Sequence, residues 1–463
     1  MSLPNTFLGT AGVNALLAGK RKLWFIGIGG VHMRSLALYC RARGFEVAGS
    51  DTTAHEGVRQ LREAGVSVYI GHHPACAAEC DAVIYTLAIS EEDPEYLAAL
   101  HLGLPVLSRA DLLGALCAAY PSRIGVAGSH GKSTVTAMLD AIFTAAGRDP
   151  TVFCGALLPD GHAAHFGEGT DCIFEACEYG NSFLCLSPNT AVVLNTDFDH
   201  ADFFPDEQAL QRSFAAFAQH AQTMICEARN EQMARAHSHA RTFGLHTGDA
   251  HAQNLEYVAG RGRFSLFLDG KDAGEVTLSV PGEHNVKNAL AAALCAADAG
   301  IPHAVIIASL SAFQGAARRM QYRGLFRGAR FFDDYAHHPV EICAGIRTAR
   351  QITPQTGRVF VVFQPHTYTR TKAFFEDLCN ALRDADRVIV ADIYPARERD
   401  TLGMSAALLA KHIGAHAAYV GGFSEIAHTL FAEISPGDTV LVMGAGDVDR
   451  LFGQICANHF TLS

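Results

Sequence analysis

The stretch Ala127-Gly128-Ser129-His130-Gly131-Lys132-Ser133-Thr134 stands between an apolar run, Arg123 to Val126, and a segment with apolar residues at Val135, Met138, Leu139, Ile142, Phe143 and Ala146. The second spacing is that of a helix with one buried face. The passage reads strand, glycine turn, helix. Such a turn lets the backbone approach a polyphosphate and aims the free N–H groups of the helix start at the anion. It also supplies a lysine for the outer phosphates and a hydroxyl for magnesium. Residues Gly128, Ser129, His130, Gly131, Lys132, Ser133 and Thr134 are therefore the candidate phosphate-binding loop, with ATP the expected ligand. The strict pattern asks for glycine where this chain has Val126. The competing reading is an ordinary glycine turn before a helix.

Upstream, short apolar runs at Leu23 to Ile28, Phe45 to Ala48, Val66 to Ile70, Ala82 to Thr86 and Val106-Leu107 alternate with helical patterns. This spacing predicts a parallel sheet covered by helices. Its first turn, Gly27-Ile28-Gly29-Gly30-Val31-His32, resembles a dinucleotide fingerprint but has His32 where the third glycine belongs, and Asp51 ends the second run. Downstream of the loop, Cys172 to Glu175 and Ala191 to Asn195 read as strands. Ligands of doubly wound sheets collect at the carboxyl ends of strands, so Glu175, Cys177, Glu178 and Asn195 to Asp202 are expected around Lys132. Alternating strands (Phe264 to Leu268, Glu275 to Val280) and an alanine-rich helix, Asn285 to Ala299, complete this unit. A third begins near Met320, with runs at Phe331-Phe332, Val359 to Phe363, Arg387 to Ala391, Ala417 to Val420 and Thr439 to Met443. It reads as a second parallel-sheet domain. The expected architecture is α/β in three domains: a Rossmann-like parallel sheet (1–121), a central P-loop-type ATPase domain (122–319) and a C-terminal Rossmann-like domain (320–463).

The chain has 463 residues, 49% hydrophobic and 18% charged, with a net charge of -11. That balance argues against nucleic acid, whose binders carry a basic surface. Anionic substrates must then be held by local cations and backbone N–H groups. The 13 cysteines lie in apolar runs without metal-type spacing and read as reduced core residues. Met1 to Gly19 has neither a basic start nor an Ala-x-Ala exit, and no apolar run reaches the length of a membrane span. A cytoplasmic protein is expected, with no membrane partner, as a monomer or weak homodimer.

Among the acids after the loop, Glu178 is the expected magnesium ligand, because magnesium takes one or two protein carboxylates and keeps water elsewhere. Imidazole is a softer donor, so His200 reads from its chemistry as a substrate contact or proton acceptor. His130, His284, His337, His338 and His366 recur at strand ends. Arg370, in Gln364-Pro365-His366-Thr367-Tyr368-Thr369-Arg370-Thr371, offers a planar fork to a carboxylate. Asp333-Asp334-Tyr335 ends a neighbouring run and could hold a ribose hydroxyl.

Taken together, Ala127 to Thr134, Glu175 to Phe183, Asn195 to His200, Pro281 to Asn288, Asp333 to Pro339 and Gln364 to Thr371 resemble, in this order, the motifs of the Mur ligases of peptidoglycan synthesis. Gly27-x-Gly29-Gly30 and the last two motifs look most like the branch that adds L-alanine. The resemblance implies ATP-dependent joining of L-alanine to the lactoyl carboxylate of UDP-N-acetylmuramate through an acyl phosphate. It implies Glu178 and His200 as magnesium ligands, with Ser133 and Thr134 serving metal and phosphates. By the same resemblance His284, Asn285 and Asn288 lie near ATP, Arg319 at its phosphates and Asp334 at its ribose. Tyr335, His337 and Arg370 would meet alanine, and Gly29, Gly30, Thr86, Ala88 and Arg109 the UDP substrate. Lys132, His200, His337 and Arg370 are the implied catalytic residues. Two alternatives stand beside this reading: a recycling ligase adding a whole tripeptide to the same nucleotide sugar, and an NAD-dependent oxidoreductase working from the first unit.

Overall fold

The computed structural model describes residues 3–158, 161–396 and 398–461. β-Branched and aromatic runs form three sheets. The first holds β1 (Lys22–Ile26), β2 (Glu46–Asp51), β3 (Ser67–Ile70), β4 (Ala82–Tyr85) and β5 (Val106–Ser108), all parallel, in the order β3-β2-β1-β4-β5.

The second sheet contains β6 (Ser122–Ala127), β7 (Thr151–Phe153), β8 (Ala164–Phe166), β9 (Asp171–Glu175), β10 (Thr190–Val193), β11 (Thr223–Glu227), β12 (Ala240–Gly244), β13 (Ala250–Val258), β14 (Arg261–Leu268) and β15 (Lys271–Pro281). Its order is β15-β14-β13-β12-β11-β10-β6-β9-β7-β8. The strand β6 is therefore central, and the loop after it opens at a point where the chain order reverses, the usual place for a ligand. Val126 is fully buried in β6, paired with Glu175 and Val192. The departure from the strict glycine pattern is thus a strand residue, and the turn itself is made by Gly128 and Gly131, at φ 144° and 85°.

The third sheet has β16 (Gln321–Phe326), β17 (Ala329–Asp334), β18 (Val359–Phe363), β19 (Arg387–Val390), β20 (Ala417–Tyr419) and β21 (Thr439–Met443), in the order β16-β17-β21-β18-β19-β20. The expectation of a purely parallel sheet needs correction. The strand β16 runs antiparallel to β17, joined to it through the turn residues Arg327 and Gly328. A two-residue connection can only fold back antiparallel, whereas a parallel partner needs a crossover. The sequence reading also passed over β11, β12 and β13, whose runs are short and mix polar with apolar residues.

The loop helix, Lys132–Ala145, and the alanine-rich helix, Glu283–Asp298, are packed together against the central sheet, with Val135, Met138, Leu139, Ala289, Ala292 and Ala293 buried. Small alanines let the two helices approach closely. Val135, Met138 and Leu139, fully buried, contribute about 1.5–3 kcal/mol each relative to exposure. Another cluster joins the first two units through Leu112, Leu113, Phe183, Leu186 and Phe217, with Phe183 stacked on Phe217 at 4.9 Å. Among the described residues no helix is long and apolar enough to cross a membrane.

Candidate active site

The carboxyl ends of the central strands face those of the third sheet across a crevice. Gly131 caps the loop helix in the left-handed region, and a Cβ there would stand 2.7 Å from the Asn288 Oδ1. Only glycine fits. Asn195, after β10, clamps the loop from the other side, accepting from the His130 N–H at 2.9 Å and donating to its carbonyl at 3.0 Å.

Lys132 donates to both oxygens of Glu178, at 3.2 and 2.9 Å, and to the carbonyls of Gly128 and Ser129. Burial works against the Glu178 charge, but the Lys132 ammonium and the His200 hydrogen bond prevail and hold its carboxyl at about 2. The His200 Nε2 lies 3.3 Å from Glu178 and its Nδ1 3.4 Å from the Arg370 guanidinium. An arginine only donates, so Nδ1 accepts and the Nε2–H faces the carboxylate. His200 is itself held at φ 57°, with its N–H bonded to the Asp199 carboxylate at 2.6 Å. Left-handed backbone at a non-glycine residue is strain stored at a site.

From the third sheet, Thr367 caps the helix Tyr368–Ala373, which carries Arg370 to the Asp199 carboxylate at 2.7 Å. His338 Nε2–H donates to the Phe198 carbonyl at 3.1 Å. The His337 Nδ1 sits 3.0 Å from the Tyr335 carbonyl, an acceptor only, so the ring keeps its lone pair on Nε2. Burial and the Arg370 charge push His337 down to about 3, so it is neutral. The Tyr335 ring lies beneath the guanidinium groups of Arg318 and Arg319, at 5.0 and 5.3 Å.

A cavity of about 360 Å³ opens beside the loop. Its wall includes His130, Gly131 and Thr134 of the loop together with His284, Asn285, Asn288, Arg319 and Asp334, the residues that the resemblance assigned to ATP. Its volume falls in the range of cofactor pockets. Along β17 successive side chains alternate, so Asp333 points away to Arg318 and Arg323 while Asp334 faces the cavity. Burial raises the Asp334 carboxyl to about 7, against an opposing pull from Arg319.

The folded protein thus keeps a proton at Asp334, between its ordinary carboxyl range and about pH 7, that the unfolded chain has lost. Stability therefore falls as pH rises through that window. The amide of Asp334→Asn removes this contribution while still accepting from the Ala336 N–H. Thermal unfolding at pH 5 and 7.5 is expected to differ less in the variant than in the wild type; an equal difference would show that Asp334 does not titrate as described.

In the first unit Gly29, Gly30, Thr86, Ala88 and Arg109 gather at the carboxyl ends of β1, β4 and β5. The Asp51 carboxylate accepts from the Gly29 N–H at 2.9 Å, so it braces the turn. Arg109 has no hydrogen-bond or ion-pair partner among the described residues.

Residues 22–121 match the Mur ligase family catalytic domain, 126–296 the Mur ligase middle domain and 318–446 the Mur ligase glutamate ligase domain. The chain is 36% identical to the UDP-N-acetylmuramate--L-alanine ligase of Clostridium novyi, over 95% of this chain and 98% of the relative. The enzyme of the same name from Agathobacter rectalis is 40% identical over 92% and 95%. The chain belongs to the Mur ligase family. Among solved Mur ligases, the UDP-N-acetylmuramate-alanine ligase MurC of Thermotoga maritima superposes with a TM-score of 0.83 at 25% identity, covering 96% of this chain and all of that one. A murein peptide ligase from Psychrobacter arcticus shares the fold, with a TM-score of 0.72 at 22% identity.

Within this Mur ligase, Glu341 was missed by the sequence reading. It lies half-buried in the crevice. The His130 Nδ1 lies 3.2 Å from one of its oxygens and Arg319 3.6 Å from the same one, while the His337 N–H donates to the other at 3.1 Å. Burial opposes its ionisation, but His130, Arg319 and the hydrogen bond from the His337 backbone N–H hold it well below the usual carboxylate range. Glu341 joins the loop at His130 to the third domain. Its signal was a capping box: His338, then Pro339 at the first helical position and Glu341 at the third. Asp199, which holds Arg370, was expected at the crevice only within the stretch Asn195 to Asp202, with no role of its own.

Proposed function

We propose that the chain joins L-alanine to the lactoyl carboxylate of UDP-N-acetylmuramate, converting ATP to ADP and phosphate. The observation that carries this reading is the convergence of Lys132, Glu178, His200 and Arg370, drawn from two sheets, beside a nucleotide-sized cavity. The near full-length likeness to L-alanine ligases supports it. In this reading 1–121 holds the UDP part, 122–319 the ATP and 320–463 the amino acid, in a cytoplasmic enzyme.

The loop N–H groups and Lys132 draw charge from the γ-phosphate while a substrate carboxylate oxygen attacks phosphorus and the bond to ADP breaks. Two anions must meet, so fixed cations matter most here. The alanine amine then attacks the acyl carbon, the acyl–phosphate bond breaks and phosphate leaves. Arg370 pairs with the alanine carboxylate, and the His337 Nε2 lone pair orients its amine. Glu178, ionised, and Ser133 offer oxygen donors that fit magnesium, and His200 would join them on releasing Arg370 from its Nδ1. Bound there, magnesium would neutralise phosphate charge.

Phosphate release measured with ATP, UDP-N-acetylmuramate and single amino acids tests the assignment. L-alanine should support turnover; activity only with a tripeptide would establish the recycling reading instead. The alanine-ligase likeness and His32 in the first turn both weigh against the two alternatives.

A further inference from the structure

His32 is the residue that breaks the glycine fingerprint of the first turn, and it is the second residue of the helix Val31–Ala42. Its ring reaches from the first unit to the central sheet. There its Nε2 is buried without a hydrogen-bond partner. The facing Glu175 Oε2 is 4.0 Å away, beyond hydrogen-bond reach. The other Glu175 oxygen is already taken by the Gly155 N–H and the Cys154 thiol. A Cβ at Gly155 would stand 2.8 Å from the His32 Nε2 and 2.7 Å from the Glu175 Oε2, so glycine keeps this gap open. Arg109, also without a partner among the described residues, and Lys132 both make their charge felt at the ring.

A buried polar atom without a partner calls for an explanation, and a ligand is one. We propose that His32 is a binding residue for the nucleotide-sugar substrate, donating its Nε2–H to an anionic oxygen of that substrate at the seam between the first unit and the central sheet. The inference rests on the function proposed above. Burial, helped by Arg109 and Lys132, lowers His32 to about 4. The ring is therefore neutral near pH 7 and serves as an N–H donor. A glycine here would leave the oxygen to water.

Steady-state kinetics of the full chain with His32→Gly and His32→Gln test this. The glycine variant should raise KM for UDP-N-acetylmuramate about tenfold, the scale of one hydrogen bond to a charged group, with kcat and the KM values of ATP and L-alanine within about twofold. Glutamine, whose amide also donates, should recover most of the loss. UDP as competitive inhibitor identifies the oxygen. Its Ki rises in step if His32 meets the diphosphate and stays constant if it meets the lactoyl carboxylate, which UDP lacks. An unchanged KM in His32→Gly, or no recovery in His32→Gln, overturns the proposal. A wild type that does not turn over the nucleotide sugar overturns the functional reading instead.

Discussion

Lys132→Ala is expected to lower turnover at least about 1,000-fold while the chain keeps its fold, because it removes the cation placed where phosphate charge develops. The ammonium sits on the loop carbonyls and both Glu178 oxygens, so it is held in place before any ligand arrives. Removing it leaves Glu178 buried, but His200 still faces that carboxylate at 3.3 Å and can share a proton with it. The loop geometry rests on Gly128, Gly131 and the Asn195 clamp, which the substitution does not touch. Phosphate release and circular dichroism check both halves. Turnover within tenfold of wild type would refute the assignment of the loop.

Glu178→Ala is expected to abolish turnover and also to destabilise the chain by about 3–5 kcal/mol, the cost of stranding a buried charge. The asymmetry is physical. A carboxylate left alone can take up a proton near neutral pH more readily than a lysine can lose one, and Lys132 has only carbonyls of its own loop as remaining partners. Thermal unfolding should therefore place Glu178→Ala below Lys132→Ala. The reverse order would mean that the pair is solvated and that Lys132 does not depend on Glu178.

Much of the site was legible in the sequence because it lies at strand ends, and strand ends are marked by where apolar runs stop. Lys132, Glu178, His200, Asp334 and Arg370 were all read this way, and the cavity brings together His284, Asn285, Asn288, Arg319 and Asp334. Glu341 was not legible as a site residue. Its capping-box spacing reports a local helix start, whereas its role depends on His130 arriving from a segment about two hundred residues earlier. The antiparallel β16 escaped because strand direction is set by the length of the connection and not by the strand itself.

By itself the sequence determined the three α/β units, the glycine turn before the helix at Lys132 and the types of residue at each strand end, since these follow from local periodicity and from glycine and proline chemistry. Only the tertiary structure decided which of those residues meet. The Lys132–Glu178–His200 chain, the Asp199 hold on Arg370, the Glu341 link and the gap between His32 and Glu175 each join segments far apart in sequence. The low carboxyls of Glu178 and Glu341 follow from cations brought beside them against the effect of burial, and both belong to the packed molecule and to no single stretch of chain.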